Sequence, residues 1–249
     1  MPSYLKPISF ILSSLHYLLF GAILVIFHLL QWLAYNIGGY KTHKKVVDLL
    51  NGTSLLNLRI IGAKTQFINP YKLPLDRPII FVANHQSLYD IPGVGWYFRN
   101  HHVKYVSKMS LGHGIPAISY NLRHGGSVLI DRKNPKEAIE KLRTFGSYIS
   151  KNNYSVLIFP EGTRSKDGIP KRFRRKGLEA LIEHIPNALI VPIAINGSWK
   201  LLKNGPVQMP LGITISWEVL PPMEFNLDEF EQQFYQLEKC IRDKVNVSK

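Results

Sequence analysis

The chain has 249 residues, 45% of them apolar and 19% charged, which suffices for one domain with a sizeable core and excludes general disorder. A single cysteine, Cys240, excludes an internal disulfide framework and a cysteine-based zinc site. The net charge is +14, and residues 1–179 hold 25 of the 31 basic residues but 9 of the 17 acidic ones, which indicates a polyanionic partner: nucleic acid, an anionic membrane surface or a phosphorylated substrate.

The N-terminal segment is the most apolar part of the sequence. Between Lys6 and Lys41, 34 consecutive positions carry no charged residue, whereas about 20 apolar residues cross a bilayer as a helix. The apolar region of a removable signal peptide is shorter, about 7–15 residues. We therefore predict a membrane-anchoring helical segment over residues 1–40, either spanning or re-entering as two helices broken near Gly21. The alternative is a buried hairpin of a soluble protein. An anionic lipid surface then accounts for the basic excess, which argues against nucleic acid.

The rest of the chain, residues 41–249, alternates between strand and helix patterns and contains no linker between globular domains. Short apolar runs predict strands over 78–83, 103–107, 127–130, 155–159, 188–195 and 212–220. Amphipathic spacing and capping residues predict helices over 88–98, from 134 to 149 and from 226 to 241. This order predicts an α/β fold, a mixed, largely parallel sheet covered by helices, in one catalytic domain.

Two residues with acid–base chemistry follow the strand predicted over 78–83. His85 has an ordinary pKa of about 6.5, close to neutrality, so a histidine at a strand end can act as a general base. Asp90 can orient the imidazole if a helix begins between the two residues and brings the carboxylate back toward the ring. Spacing alone, however, favours the simpler interpretation of a histidine at a helix start beside a surface aspartate.

Charged residues also follow three other predicted strands. The segment 161–164 reads Glu-Gly-Thr-Arg, in which glycine lets the backbone approach a ligand and arginine offers a fork of donors to a phosphate. A polar surface turn is the simpler interpretation of this segment. The candidate substrate-binding residues are Lys108, Arg132, Glu161, Gly162, Thr163 and Arg164.

Taken together, these motifs resemble the glycerolipid acyltransferase family over about residues 70–220. Residues 84–90 are similar to the His-x4-Asp motif of that family, residues 161–164 to its second signature and residues 191–193 to its last. Gln86 is typical of the 1-acyl-glycerol-3-phosphate acyltransferase branch. The stretch after Lys108 departs from the family pattern, because it reads Lys-Met-Ser-Leu where Lys-x-Glu-Leu is common.

The resemblance implies a reaction and its substrates. An acyl chain would pass from acyl-CoA or acyl-carrier protein to the sn-2 hydroxyl of 1-acyl-glycerol-3-phosphate (lysophosphatidic acid), giving phosphatidic acid. No cofactor, metal or acyl-enzyme is implied, and the partners are membrane lipids, lysophosphatidic acid and the acyl donor. The expected location is the membrane, at the cytoplasmic face of the inner membrane for a bacterial chain.

The resemblance also implies roles for the candidate residues. His85 is the expected general base and Asp90 its orienting group. Arg132 and Arg164 are expected to bind the acceptor phosphate, with Lys108 as a further charge. Glu161 would orient these arginines or bind the glycerol. Thr163 would donate a hydrogen bond, and backbone N–H groups near Gly162 or a nearby cation would stabilise the developing oxyanion.

Other interpretations remain open. The acceptor can be another lysolipid or glycerol 3-phosphate, or the chain can be an inactive lipid-binding protein. Ser87 lacks the Gly-x-Ser-x-Gly surroundings of a hydrolase nucleophile. The histidines at 101, 102, 113 and 124 lack metal-ligand spacing. The basic run 171–176 suits lipid headgroups or the phosphates of an acyl donor better than RNA, and a solvated loop is the simplest alternative.

Overall fold

The computed structural model describes residues 4–205 and 207–245, which form a seven-stranded sheet of order β1-β7-β6-β2-β5-β3-β4. The strands are β1 (Lys64–Ile68), β2 (Ile79–Ala83), β3 (Val103–Lys108), β4 (Val128–Ile130), β5 (Ser155–Ile158), β6 (Leu189–Asn196) and β7 (Thr214–Val219). Every neighbouring pair is parallel except β6 and β7. The predicted mixed, largely parallel sheet is therefore confirmed.

Helices cover both faces of this sheet. They are α1 (Leu5–Asn57), α2 (Asp90–Tyr97), α3 (Ile118–His124), α4 (Pro135–Asn152), α5 (Arg175–His184) and α6 (Phe230–Lys244). Side chains of β2 alternate between two cores, because successive residues of a strand point to opposite faces. Phe81 packs in the core that α1 and α2 cover, whereas Ile80 packs in the core under α4, α5 and α6.

The predicted strands and helices are present, but the sequence patterns missed three elements. Strand β1 lies at the sheet edge and is only partly buried, so it lacks the apolar run of a central strand. Helix α3 spans only seven residues, and α5 begins inside the basic run 171–176. The predicted cap Asn226 accepts a bond from the amide of Asp228 and holds a short 3-10 turn, after which α6 begins at Phe230.

Helix α1 is a hairpin whose two arms meet at Gly39. Gly39 has a φ of +66°, a left-handed conformation that glycine adopts without steric cost. The arms lie antiparallel, since His43 Nε2 lies 3.2 Å from Gln31 Oε1 and Asn57 Nδ2 donates to the carbonyl of His16 at 3.1 Å. The predicted break near Gly21 is wrong, because the first arm is helical at that position.

The first arm of α1 has its polar residues buried and its apolar residues exposed. Ser9, Ser13, His16 and Gln31 are buried against the second arm and the sheet domain. The exposed large apolar residues of this arm include Ile8, Ile11, Leu18, Val25, Ile26, Leu29, Trp32 and Ile37. Within the described residues, α1 and the short turn after it form one helix long and apolar enough to cross a membrane. The anchoring role and the division at residue 40 stay predictions, and the helical hairpin itself continues to Asn57.

Hydrogen bonds from polar residues of this arm join it to the sheet domain. Ser9 Oγ donates to the carbonyl of Met209 at 2.8 Å, and the amide of Met209 donates to Ser13 Oγ at 2.9 Å. His16 Nε2 lies 2.6 Å from the hydroxyl of Tyr89. Because Tyr89 immediately precedes α2, the arm contacts the segment in which the polar residues after β2 lie.

Candidate active site

The loop that carries His85 is fixed to both neighbouring strands of β2. On the β6 side, the Asn84 side chain donates to the carbonyl of Ile195 at 2.8 Å and accepts from its amide at 2.7 Å. On the β5 side, the amide of Ser165 donates to the carbonyl of His85 at 2.8 Å. These bonds continue the sheet pairing beyond the end of β2 and fix the position from which the imidazole projects.

The predicted pair His85 and Asp90 is assembled. His85 Nδ1 lies 2.8 Å from Asp90 Oδ2, and the same oxygen accepts from the amides of Gln86 at 2.6 Å and Ser87 at 2.9 Å. Asp90 is the first residue of α2 and is completely buried. An ionised carboxylate can only accept, so Nδ1 carries the proton and Nε2 is left to accept one.

Ser198 binds the carboxylate oxygen of Asp90 that His85 does not contact, and the sequence analysis missed this residue. Its hydroxyl donates to Asp90 Oδ1 at 2.5 Å, and Ser198 is fully buried. The serine follows β6 after Gly197, whose φ of +83° and close approach to the carbonyl of Thr214 require glycine. The contact joins residues 108 positions apart, so no local motif could have indicated it.

The imidazole of His85 also packs against an aromatic ring. Phe159 follows β5, and its ring centroid lies 4.0 Å from that of His85 with an angle of 14° between the planes. The His85 side chain retains 13% of its exposure. The stacked ring and the Asp90 carboxylate together restrict the imidazole to one plane and leave one edge open.

Glu161 makes two backbone contacts that the sequence analysis did not predict. It is 2% exposed, Oε1 accepts from the amide of His85 at 2.8 Å, and Oε2 accepts from the amide of Lys171 at 2.9 Å. Burial raises the pKa of this carboxyl, and the two backbone donors oppose the rise. Both oxygens bind backbone amides, and the predicted contact with the arginines or the glycerol stays a prediction. Glu161 ties the histidine loop to the segment at 171.

The loop after β5 turns at Gly162, which has a φ of +69°. Its amide donates to the carbonyl of Phe159 at 3.0 Å, so this one N–H is occupied, and the role of the other backbone N–H groups near Gly162 stays a prediction. Thr163 and Arg164 follow with exposed side chains. The carbonyl of Arg164 accepts from Lys171 Nζ at 2.9 Å. The guanidinium of Arg164 makes no hydrogen bond or ion pair with the described residues.

Arg132 reaches this loop from the end of β4. Its Nη1 donates to the carbonyl of Gly162. Arg174, which the sequence analysis treated only as part of the basic run, also approaches the loop: a Cβ built on Gly162 would lie 3.6 Å from Arg174 Nη1. Partial desolvation and the charge of Arg174 lower the pKa of Arg132. Two arginines therefore share the space around one carbonyl.

Lys108 lies at the same edge of the sheet. It ends β3 opposite Ile130 of β4, and its side chain is exposed. No described contact brings it to Arg132 or Arg164. Ser110, where the family pattern has glutamate, is exposed in the short turn that follows.

The remaining histidines do not gather into a cluster. His102 stacks on Tyr154 with centroids 4.4 Å apart, and His124 stacks on Tyr120 at 4.3 Å. Across residues 4–205 and 207–245, no group of three or more His, Cys, Asp or Glu side chains could hold a metal ion. The site is thus a sheet edge with one oriented imidazole and several exposed cations.

Comparison with known proteins identifies the class to which this site belongs. A family model described as Acyltransferase matches residues 64–196, just over half of the chain. The match includes His85, Asp90, Arg132 and Glu161. The chain belongs to this acyltransferase family.

Individual relatives carry a more specific name. A 1-acyl-sn-glycerol-3-phosphate acyltransferase from Limnanthes douglasii is 32% identical over 153 residues, 61% of this chain and 51% of that protein. A chloroplastic enzyme of the same name from Arabidopsis thaliana is 31% identical over 52% of this chain and 35% of its own length. One from Helicobacter pylori is 30% identical over 52% of this chain and 53% of its own length. The chain spans about half of the length of the first curated relatives it matches.

A solved structure shares the fold over almost the whole chain. The crystal structure of the 1-acyl-sn-glycerophosphate acyltransferase PlsC from Thermotoga maritima has a TM-score of 0.74 and 21% sequence identity, and the similarity covers 96% of this chain and 95% of that one. The similarity therefore extends to the helical hairpin of α1 as well as to the sheet domain.

Proposed function

We propose that this chain transfers an acyl group from acyl-CoA or acyl-carrier protein to the sn-2 hydroxyl of 1-acyl-glycerol-3-phosphate, which makes phosphatidic acid. The names of the relatives support this reaction. The observation that carries the proposal is the 2.8 Å contact between His85 Nδ1 and the buried carboxylate of Asp90. It leaves His85 Nε2 to act as a base toward an alcohol.

In the proposed reaction the acceptor hydroxyl loses its proton to His85 Nε2 as it attacks the thioester carbonyl. Asp90 holds the imidazole and stabilises the imidazolium that forms. Collapse of the tetrahedral intermediate breaks the carbon–sulfur bond, and His85 returns the proton to the leaving thiolate. The acceptor is itself the nucleophile, so neither an acyl-enzyme nor a bound cofactor or metal is part of the proposal.

The cations at the sheet edge would bind the acceptor phosphate. Arg132 and Arg164 offer planar forks that suit phosphate oxygens, and Lys108 adds a point charge. Arg174 joins this set because it lies beside Gly162. Stabilisation of the thioester oxyanion would fall to one of these cations or to a backbone N–H near Gly162, the amide of Gly162 itself being occupied.

A membrane location fits both the substrate and α1. Lysophosphatidic acid and phosphatidic acid reside in the bilayer, and the exposed apolar side of the first arm would be buried in lipid. The basic surface would face anionic headgroups. We place the site at the cytoplasmic face of the membrane, where acyl-CoA and acyl-carrier protein are found.

The test is acyl transfer by purified protein in detergent, with acyl-CoA and acyl-carrier protein as labelled donors. The acceptors are lysophosphatidic acid, glycerol 3-phosphate and a lysolipid without a phosphomonoester, and His85→Ala is the control. We expect label in phosphatidic acid that the control loses. Label in another product would retain the mechanism but replace the acceptor. Transfer to none of them by folded protein would favour a lipid-binding protein without activity.

A further inference from the structure

A groove lined by charged residues begins at the active-site loop and runs along α6. Its walls are the segment 171–175 and one side of α6, and its inner end reaches Glu161 and Thr163. The α6 residues that line it extend from Glu231 to Asp243, about 18 Å along a helix that rises 1.5 Å per residue. The groove is therefore long, and one end lies at Glu161, whose Oε1 accepts from the amide of His85.

Cations outnumber acids along this groove, and three of its four acids already have partners. Arg175 pairs with Glu231, and Arg242 Nη2 lies 2.7 Å from Glu238 Oε1. Glu161 is occupied by two backbone amides. The lining residues with unpaired charge are Arg172, Arg174, Lys239 and Asp243, as judged over residues 4–205 and 207–245. The available charge is thus positive and suits an anion.

The groove and the first arm of α1 lie on opposite faces of the sheet. Phe173 and Phe234, which line the groove, belong to the core under α4, α5 and α6. The first arm of α1 packs on the other core through Leu12 and Tyr17. His85 projects from the sheet edge between the two faces. A lipid acceptor that enters from the side of α1 leaves the α6 side open to a water-soluble donor.

We infer that this groove binds the phosphopantetheine arm of the acyl donor, with Arg172 and Lys239 contacting its phosphate. The inference rests on the proposed function. Coenzyme A and acyl-carrier protein share this arm, a long flexible chain with a phosphate at one end and the thioester at the other. The groove offers the matching features: length, exposed cations along its walls and an inner end at Glu161, which is bonded to the backbone of His85. Tyr235, which is 67% exposed, adds an aromatic surface for the chain of the arm.

The test reverses two charges far from the catalytic loop. In the variant, Arg172→Glu is combined with Lys239→Glu, and the matched control combines Lys151→Glu with Lys176→Glu, which reverses two exposed cations outside the groove. Binding of coenzyme A is measured at equilibrium, and KM is measured for acyl-CoA, acyl-carrier protein, acyl-phosphopantetheine and acyl-pantetheine. We expect the variant to bind coenzyme A about tenfold more weakly and the control to behave as wild type.

The donor series separates the contributions. We expect KM to rise for phosphate-bearing donors, while kcat, KM for lysophosphatidic acid and KM for acyl-pantetheine stay at wild-type values. A rise with acyl-CoA alone or with the carrier protein alone supports the inference and identifies the source of the arm. Unchanged KM for all phosphate-bearing donors, an equal rise with acyl-pantetheine, or a rise for the acceptor instead overturns it. Wild-type protein that transfers nothing to lysophosphatidic acid refutes the proposed function and not the groove, because binding of coenzyme A is measured without turnover.

Discussion

The loop that carries His85 and Asp90 lies at the same edge of the sheet as the cations Lys108 and Arg164. The two groups differ in burial and in the number of hydrogen-bond partners. Asp90 is completely buried and accepts from two backbone amides, a hydroxyl and the imidazole of His85. The side chains of Lys108 and Arg164 are exposed and have no described partner. In the proposed mechanism, proton transfer would depend on a preorganised geometry, whereas phosphate binding would depend on exposed charge that the ligand completes.

The largest effect on activity is expected from a substitution in the pair His85 and Asp90. We predict that Asp90→Asn lowers kcat by about 10²- to 10⁴-fold. Asparagine has one acceptor oxygen, so it cannot serve both the His85 side and the Ser198 hydroxyl, and without a negative charge it does not stabilise the imidazolium. The check is steady-state kinetics, with folding monitored by circular dichroism. Asp76→Asn is the control, because Asp76 is exposed. Wild-type activity in Asp90→Asn would contradict the proposed mechanism.

A smaller effect is expected from Ser198→Ala. The hydroxyl donates to the Asp90 carboxylate at 2.5 Å, and a hydrogen bond to a charged group contributes about 1.5–3 kcal/mol. We predict a loss of stability of that size and a decrease in kcat smaller than that of Asp90→Asn. Denaturant unfolding and kinetics of the same preparation measure both. Ser110→Ala, at an exposed serine beyond β3, is expected to change neither. If Ser198→Ala matches Ser110→Ala, the buried hydroxyl does not support Asp90.

Substitution of the exposed arginines is expected to change KM for the acceptor. We predict that Arg132→Ala raises KM for lysophosphatidic acid about tenfold, equivalent to about 1.4 kcal/mol, with a smaller change in kcat. The guanidinium would bind the acceptor phosphate, so an acceptor without a phosphomonoester should show no difference. Arg164→Ala is predicted to act in the same direction. An equal loss with both acceptors would mean that Arg132 only supports the loop through the carbonyl of Gly162.

The smallest effect concerns two lysines on one strand. Lys104 is 3% exposed and lies 4.7 Å from the ring centroids of Tyr40 and Tyr154, whereas Lys108 is exposed. Burial, reinforced by the charge of Lys44 and opposed by Asp48, lowers the pKa of Lys104 from 10.5 to about 7. Below pH 7 Lys104 is protonated in both the folded and the unfolded chain. The burial of its charge therefore lowers the free energy of unfolding by the full amount in that range.

Between pH 7 and 10.5 the unfolded chain retains a proton that the folded chain has released, so stability should rise with pH in that range. We predict that Lys104→Met removes this rise, while Lys108→Met retains it. Thermal unfolding of the wild type and both variants in detergent at pH 7 and 9 measures the difference, which should amount to a few degrees, since 1 kcal/mol shifts Tm by about 2–4 °C at this size. Equal pH dependence in all three proteins would contradict a neutral Lys104.

Local contacts were predicted from the sequence more successfully than distant ones. His85 and Asp90 are five residues apart, and a helix start between them suffices to bring them together. The bond from Ser198 crosses 108 residues and depends on the order of β6 and β2 in the sheet. The bonds from Glu161 to the amides of His85 and Lys171 were not predicted, because no residue type identifies a backbone partner. Arg174 was missed as a site residue because the loop after β5 brings it back to Gly162.

The helical hairpin illustrates the same limit. An apolar run predicts helix and membrane contact, but the bend depends on which glycine lies where the arms must reverse. Gly21 and Gly39 both interrupt the run, and only Gly39 adopts a positive φ. The polar residues that select this register, such as His16 and Gln31, form bonds only with the second arm and the sheet domain.

The bonds between the first arm and Met209 impose an order on assembly. Ser9 and Ser13 lie at the start of the chain, and their partner is 200 and 196 residues further on. Synthesis proceeds from the N-terminus, so the arm emerges long before Met209 exists. Its serine hydroxyls must therefore use temporary partners until most of the sheet domain has been made. The bonds to Met209 then replace those partners and join the arm to the sheet domain.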